Sequence, residues 1–212
     1  MSLRSASARG ALVVLIALSA ATASGQPAVA EPGAAGTAGA RDPANGATRA
    51  GITDGASAEK DDSEALLAAR RLIVPIAGIS RASLRDTYDE RRGAGPHEAI
   101  DIAAPRGTPV VAVGDGRVVK LFTSARGGCT VYQFDPAEQF AYYYAHLDSH
   151  AAGLKEGMAV KRGDVLGYVG STGNAAADAP HLHFAIFRLG PERRWWQGTP
   201  VNPYAFLNES PR

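Results

Sequence analysis

Cysteine is almost absent: Cys129 stands alone in 212 residues, so no intramolecular disulfide can form. Within the run Cys129-Thr130-Val131-Tyr132 that thiol reads as a small buried hydrophobe rather than a reactive group. Net charge is also nearly absent, at +1, which gives no field to draw in nucleic acid or an acidic partner. The apolar stretch Ala11 to Leu18 is well short of the roughly 20 residues that span a bilayer. No Cys–His arrangement announces a covalent nucleophile. The glycine-rich run Gly167 to Gly173 lacks the lysine and following helix that a phosphate cradle requires, so it reads as a turn. Nothing repeats at a fixed period.

The N-terminus is read as an export signal over residues 1–23. Arg4 and Arg9 give a basic start, Ala11 to Leu18 an apolar core, and Ala21-Thr22-Ala23 an A-x-A cleavage site, with a second at Ala28-Val29-Ala30. The expected product is exported and not transmembrane. Residues 24–60 are Ala, Gly, Pro, Thr and Asp with almost no large apolar side chain. Such a segment cannot offset its ordering entropy, so a disordered linker or tether is expected there. Asp62-Ser63-Glu64 before Ala65 to Arg71 predicts a short N-capped helix within 61–73, basic at its far end.

From residue 74 to 208 the pattern is strands and turns. Pro109 to Val113 and Arg117 to Phe122 flank Gly114-Asp115-Gly116, a hairpin signal. Cys129 to Phe134, Phe140 to His146, Val165 to Val169 and Leu182 to Phe187 follow, separated by glycine and Asp-Pro turns. Short strands at this spacing predict a mainly β domain, an antiparallel sandwich or open barrel.

Four of the five histidines fall in three short segments. In His181-Leu182-His183-Phe184 the two imidazoles of an extended strand share a face opposite Leu182 and Phe184. His97-Glu98-Ala99-Ile100-Asp101 admits three readings: a helix opening a zincin motif with Glu98 as base, an extended ligand pair, or a surface loop. Pro96, Pro105 and Gly107 leave little room for a helix. The favoured reading is the extended pair, with His97 and Asp101 on one face and Glu98 turned away. His146 ends the aromatic strand Tyr142-Tyr143-Tyr144-Ala145, whose tyrosines suit half-buried sheet positions. Trp195 and Trp196 read as sheet-edge packing, and His150 as a solvated loop residue.

The ordered set H-x-x-x-D (97–101), Tyr144-Ala145-His146-Leu147, a glycine-rich turn and Pro180-His181-Leu182-His183-Phe184 resembles the lysostaphin-type (LytM-like) zinc metallopeptidases. The likeness spans roughly Val74 to Leu207 and takes in Gly107-Thr108-Pro109-Val110, Asp115-Gly116-Arg117-Val118 and Val160 to Asp164. It implies an endopeptidase acting on stem peptides of bacterial peptidoglycan, in the periplasm or secreted. It further implies one Zn2+ held by His97, Asp101 and His183, with His146 and His181 as non-ligand catalytic histidines and Tyr88 as an oxyanion-binding residue. Two imidazoles and one carboxylate leave zinc strongly Lewis acidic, and His146 or His181 is of the right type to move a proton. The sequence departs from the family pattern at Ala99, where glycine is usual, in the segment Ser83 to Arg92, and in the longer turn Asn174 to Ala179. Two alternatives stay open: a non-catalytic relative that activates another wall hydrolase, and a secreted protease of glycine-rich proteins.

Overall fold

The computed structural model describes residues 62–93 and 95–207; the export signal and the linker expected from sequence lie outside them. A helix, α1, occupies 62–69. It stops short of the expected residue 73 because Arg71 takes a left-handed φ of 50°, which ends helical geometry. Leu72 and Ile73 therefore run extended, with the Ile73 amide donating to the Val113 carbonyl at 3.0 Å. Arg70 anchors the basic end of α1 on the buried carboxylate of Asp135 at 2.7 Å.

Eleven strands follow among the described residues: β1 (Arg91–Arg92), β2 (Gly95–Pro96), β3 (Ile100–Ala103), β4 (Pro109–Val111), β5 (Gly116–Ser124), β6 (Gly128–Phe134), β7 (Phe140–His150), β8 (Ala159–Val160), β9 (Val165–Val169), β10 (His181–Leu189) and β11 (Gly198–Val201). Every pairing is antiparallel. β1 and β2 form a small ribbon, and the other nine make one sheet in the order β11-β10-β7-β6-β5-β8, with β3 on β10 and β9 joining β4 to β7. The domain is mainly β and the sheet does not close into a barrel.

β7 is the spine. Its first half pairs with β10 from Phe140 to Ala145, and its second half pairs with β9 from Leu147 to His150. One long strand is thus shared by two neighbours on the same edge, and the sheet folds over a core of Leu72, Ile76, Ile100, Val110, Val118, Val131, Leu147, Leu166, Leu182, Phe184 and Ile186. Alternation places side chains as the period of two demands. On β10, Leu182, Phe184 and Ile186 are fully buried while His181 and His183 are half-buried on the other face.

The turn Gly114-Asp115-Gly116 does not close the hairpin expected from sequence. β4 pairs with β9 and with Ile76, whereas β5 pairs with β6 and β8. The Asp115 carboxylate and the Gly114 carbonyl have distant partners instead. Asp115 accepts the Arg162 amide at 2.9 Å and Lys161 at 3.1 Å, and the Gly114 carbonyl accepts the Gln133 amide at 2.8 Å. The turn is a corner between layers.

Gln133 belongs to a buried network. Its Oε1 accepts the Tyr144 hydroxyl at 2.8 Å, and that hydroxyl accepts the Val113 amide at 3.0 Å. Tyr144→Phe would leave a buried amide and a buried carbonyl oxygen without partners. The expected loss is about 1–3 kcal/mol, read as a lower urea midpoint at unchanged slope; a midpoint equal to that of the native chain would contradict this account.

Candidate metal centre

Two donors come from one ladder. β3 and β10 pair in the register that sets Asp101 directly opposite His183. Ile100, Ile102, Leu182 and Phe184 point into the core, so Asp101, His181 and His183 are left on the other face. Cross-strand partners of this kind have Cβ atoms about 4.5–5.5 Å apart. The His183 Nδ1 lies 3.2 Å from Asp101 Oδ1.

His97 arrives by a different route from the one read in the sequence. The strand begins only at Ile100, and Glu98 adopts a left-handed φ of 57°. Convergence of His97 with Asp101 therefore comes from a turn between β2 and β3, not from strand alternation. The turn is fixed by the Glu98 amide, which donates to the Tyr88 carbonyl at 2.9 Å. Ala99 is fully buried and is not among the left-handed residues, so the methyl group at this departure from the family pattern is accommodated.

His97 Nδ1 faces the Thr87 carbonyl at 3.1 Å, which assigns the proton to that nitrogen and leaves a lone pair on Nε2. That Nε2 is 3.0 Å from His183 Nδ1 and 3.2 Å from Asp101 Oδ1. Three donors thus form a near-equilateral triangle. Ligands at the usual zinc distances around a tetrahedral ion stand about 3.3–3.5 Å apart, so the triangle is slightly tighter than one closed on zinc. Two imidazoles and a carboxylate are also the donor types that zinc takes. The residues present fit the ion.

His146 and His181 flank the triangle. Val131 pairs with Tyr144 and Cys129 with Leu147, so Thr130 alone opposes both Ala145 and His146. This is a β-bulge, and bulges re-aim side chains. His146 sits at its centre with a φ of 60°, an uncommon conformation for a non-glycine residue. Its Nδ1 meets the Thr172 carbonyl at 2.8 Å. Thr172 is itself gripped by glycines: a Cβ on Gly128 would strike its hydroxyl. His181 Nδ1 meets the Ala179 carbonyl at 2.9 Å, so the long turn Asn174 to Ala179 ends by orienting an imidazole. His146 lies 4.9 Å from His181 and 5.6 Å from His183 between ring centroids. His181 Nε2 approaches Asp101 Oδ1 at 3.9 Å.

Burial opposes ionisation of the Asp101 carboxyl, but the imidazoles of His183 and His97 beside it hold its pKa far below the usual carboxylate range. Burial pushes the His146 imidazole down to about 4, partly resisted by the Thr172 carbonyl. His183 is lowered by burial in the same way, against the pull of Asp101.

Tyr88 lies in the segment that packs on the turn carrying His97, its carbonyl accepting the Glu98 amide. Burial and the charges of Glu98 and Asp89 raise its pKa, and among the described residues no ring or hydrogen-bond contact joins it to the histidines. Tyr143, read from sequence only as a sheet aromatic, does reach the site, its ring 6.0 Å from that of His183. Alternation opposite buried Tyr142 and Tyr144 was the available signal. His150 is no loop residue: it ends β7 and binds the Thr130 carbonyl at 2.9 Å. Trp195 packs against Phe122 and Tyr132 on the sheet.

The model of Peptidase family M23 matches residues 95–203, which include His97, Asp101, His146, His181 and His183. The chain belongs to peptidase family M23. Within that family it is similar to the L-Ala–D-Glu endopeptidase of Bacillus subtilis (strain 168), 34% identical over 133 residues covering 59% of this chain and 39% of the relative. It is similar also to the peptidoglycan DD-endopeptidase ShyB of Vibrio cholerae, 34% identical over 91 residues, 43% of this chain and 20% of that protein. Among solved structures, Helicobacter pylori Csd3 superposes with a TM-score of 0.50 at 27% identity, covering 66% of this chain and 33% of Csd3. The M23 region shared with each of these spans well under half of the relative's length.

The depressed pKa of His146 has a stability consequence. The unfolded chain protonates this residue near 6.5 and the folded site only at about 4. In zinc-free solution the native chain should therefore lose stability relative to His146→Gln as pH falls from 6.5 towards 4, with a level difference above that window. Urea midpoints across pH 4–8 test the sign; a difference that does not change with pH would refute the burial argument.

Proposed function

We propose that this chain is an exported, zinc-dependent endopeptidase that hydrolyses peptide cross-links of bacterial peptidoglycan. The observation that carries the reading is the triangle of His97, Asp101 and His183 donors beside two further imidazoles, each anchored through one nitrogen with the other left for chemistry. One zinc ion held by the triangle would supply a Lewis acid for the scissile carbonyl and lower the pKa of an attacking water.

The remaining work falls to the chain's own groups. His146 gives Nδ1 to a carbonyl, so its Nε2 carries the lone pair, and its low pKa keeps that nitrogen unprotonated at neutral pH. It can accept a proton there and return it to the leaving amine. His181, oriented by Ala179, presents Nε2 beside Asp101 and can donate to a developing oxyanion when protonated. Asp101 stays ionised throughout. The half-buried ring of Tyr143 borders His183.

Peptidoglycan as the substrate is supported by family membership and by the substrate named for the Vibrio cholerae relative. Export is supported by the sequence of residues 1–23. No helix of the described residues is long and apolar enough to cross a membrane.

Incubating the full chain with purified sacculi and zinc should deplete cross-linked muropeptide dimers. Chelator or His183→Ala should abolish the loss, and His146→Gln should lower kcat/KM by about 10²–10⁴-fold. Zinc binding with no cleavage of sacculi would sink the enzymatic reading and favour the non-catalytic regulator.

A further inference from the structure

The three donors do not hold themselves in place. β3 pairs only with β10 among the described strands, so on its outer edge a backbone N–H lacks a sheet partner. At Asp101 that partner is Thr87: its Oγ1 accepts the Asp101 N–H at 3.1 Å. The same residue's carbonyl receives His97 Nδ1 at 3.1 Å. Thr87 is one of the few buried polar residues of the domain. It therefore touches two of the three donors at once, one through its backbone and one through its side chain.

The Asp101 carboxylate is divided between two neighbourhoods. Oδ1 faces His97, His183 and His181. Oδ2 faces outward and meets Arg92 Nη2 at 3.0 Å, and the same nitrogen meets Glu90 Oε2 at 2.9 Å. A guanidinium held between two carboxylates fixes which oxygen of Asp101 is turned towards the histidines. All of this comes from residues 87–92, which precede the segment 95–203 that the family model matches.

We infer that Thr87 and Arg92 are positioning residues for the metal centre, Thr87 aligning His97 with Asp101 and Arg92 holding Asp101 as a one-oxygen donor. The inference rests on the reading of His97, Asp101 and His183 as zinc ligands. Outer partners of metal ligands typically carry 10–100-fold in metal affinity. Thr87→Val removes only the hydroxyl and keeps shape and carbonyl, so it isolates the Asp101 contact. Arg92 acts in two opposed senses, since its charge repels a cation while its geometry orders a ligand. Its role is therefore read from coordination, not from affinity.

The test uses the full chain and metal binding alone. Zinc affinity by chelator competition should fall about tenfold or more in Thr87→Val and return to near the native value in Thr87→Ser. With cobalt as the probe, Arg92→Ala should change the visible spectrum of the bound ion, and Thr87→Ser should not. A Thr87→Val chain that binds zinc within twofold of native, with only its urea midpoint lowered, would reduce Thr87 to a structural role and overturn the inference. Thr87→Ser as weak as Thr87→Val, or an Arg92→Ala spectrum identical to native, would overturn it equally. A native chain that binds zinc but leaves sacculi intact would sink the proposed function and not this inference. A native chain that binds no zinc would sink both.

Discussion

The antiparallel register of β3 on β10 is the constraint on which the centre depends. It sets Asp101 across from His183, and the core enforces it. A slip of one residue would turn Ile100 and Ile102 outward and drive Asp101 into the apolar interior. Each isoleucine so exposed forfeits about 1.5–3 kcal/mol of burial, and an unpaired carboxylate among Leu182, Phe184 and Ile186 costs still more. Two donors of the site are thus placed by hydrophobic packing that has no stake in metal chemistry.

The other members come from irregularities grafted on that frame. His97 is delivered by a left-handed turn at Glu98, and His146 by a bulge where β7 changes neighbours from β10 to β9. The two departures have a common logic. A flat ladder shows its side chains in parallel rows, whereas a cluster of five groups around one point requires some of them to be turned inward. Both imidazoles, and that of His181 on the regular strand β10, are then held by backbone carbonyls: that of Thr87 for His97, Thr172 for His146 and Ala179 for His181. The same carbonyls decide which ring nitrogen is free.

What was legible in the sequence followed from periodicity. The alternation of Leu182, Phe184 and Ile186 with His181 and His183 is a local property, and β10 shows it without ambiguity. His97 and Asp101 lie together, but through the turn at Glu98 and not through the strand alternation that the sequence suggests. The glycines around Asp115 marked a change of direction but not what the flanking strands pair with, because partner choice is set by long-range contacts such as Gln133 with Gly114. Tyr143 and Thr87 carried no motif. Their importance depends on which distant segments fold against them, which no window of local sequence contains. Arg92 belongs to the segment Ser83 to Arg92, which stands out in the sequence only as a departure from the family pattern.

The left-handed backbone of His146 leaves a mark on what this position can become. Of residues with a side chain, asparagine, aspartate and histidine take such a φ most readily, so most other substitutions here would add backbone strain to the loss of the imidazole. The backbone cost of about 1–3 kcal/mol at this Cα is borne by a ring whose Nδ1 is tied to the Thr172 carbonyl, so conformation and side-chain anchoring are specified together.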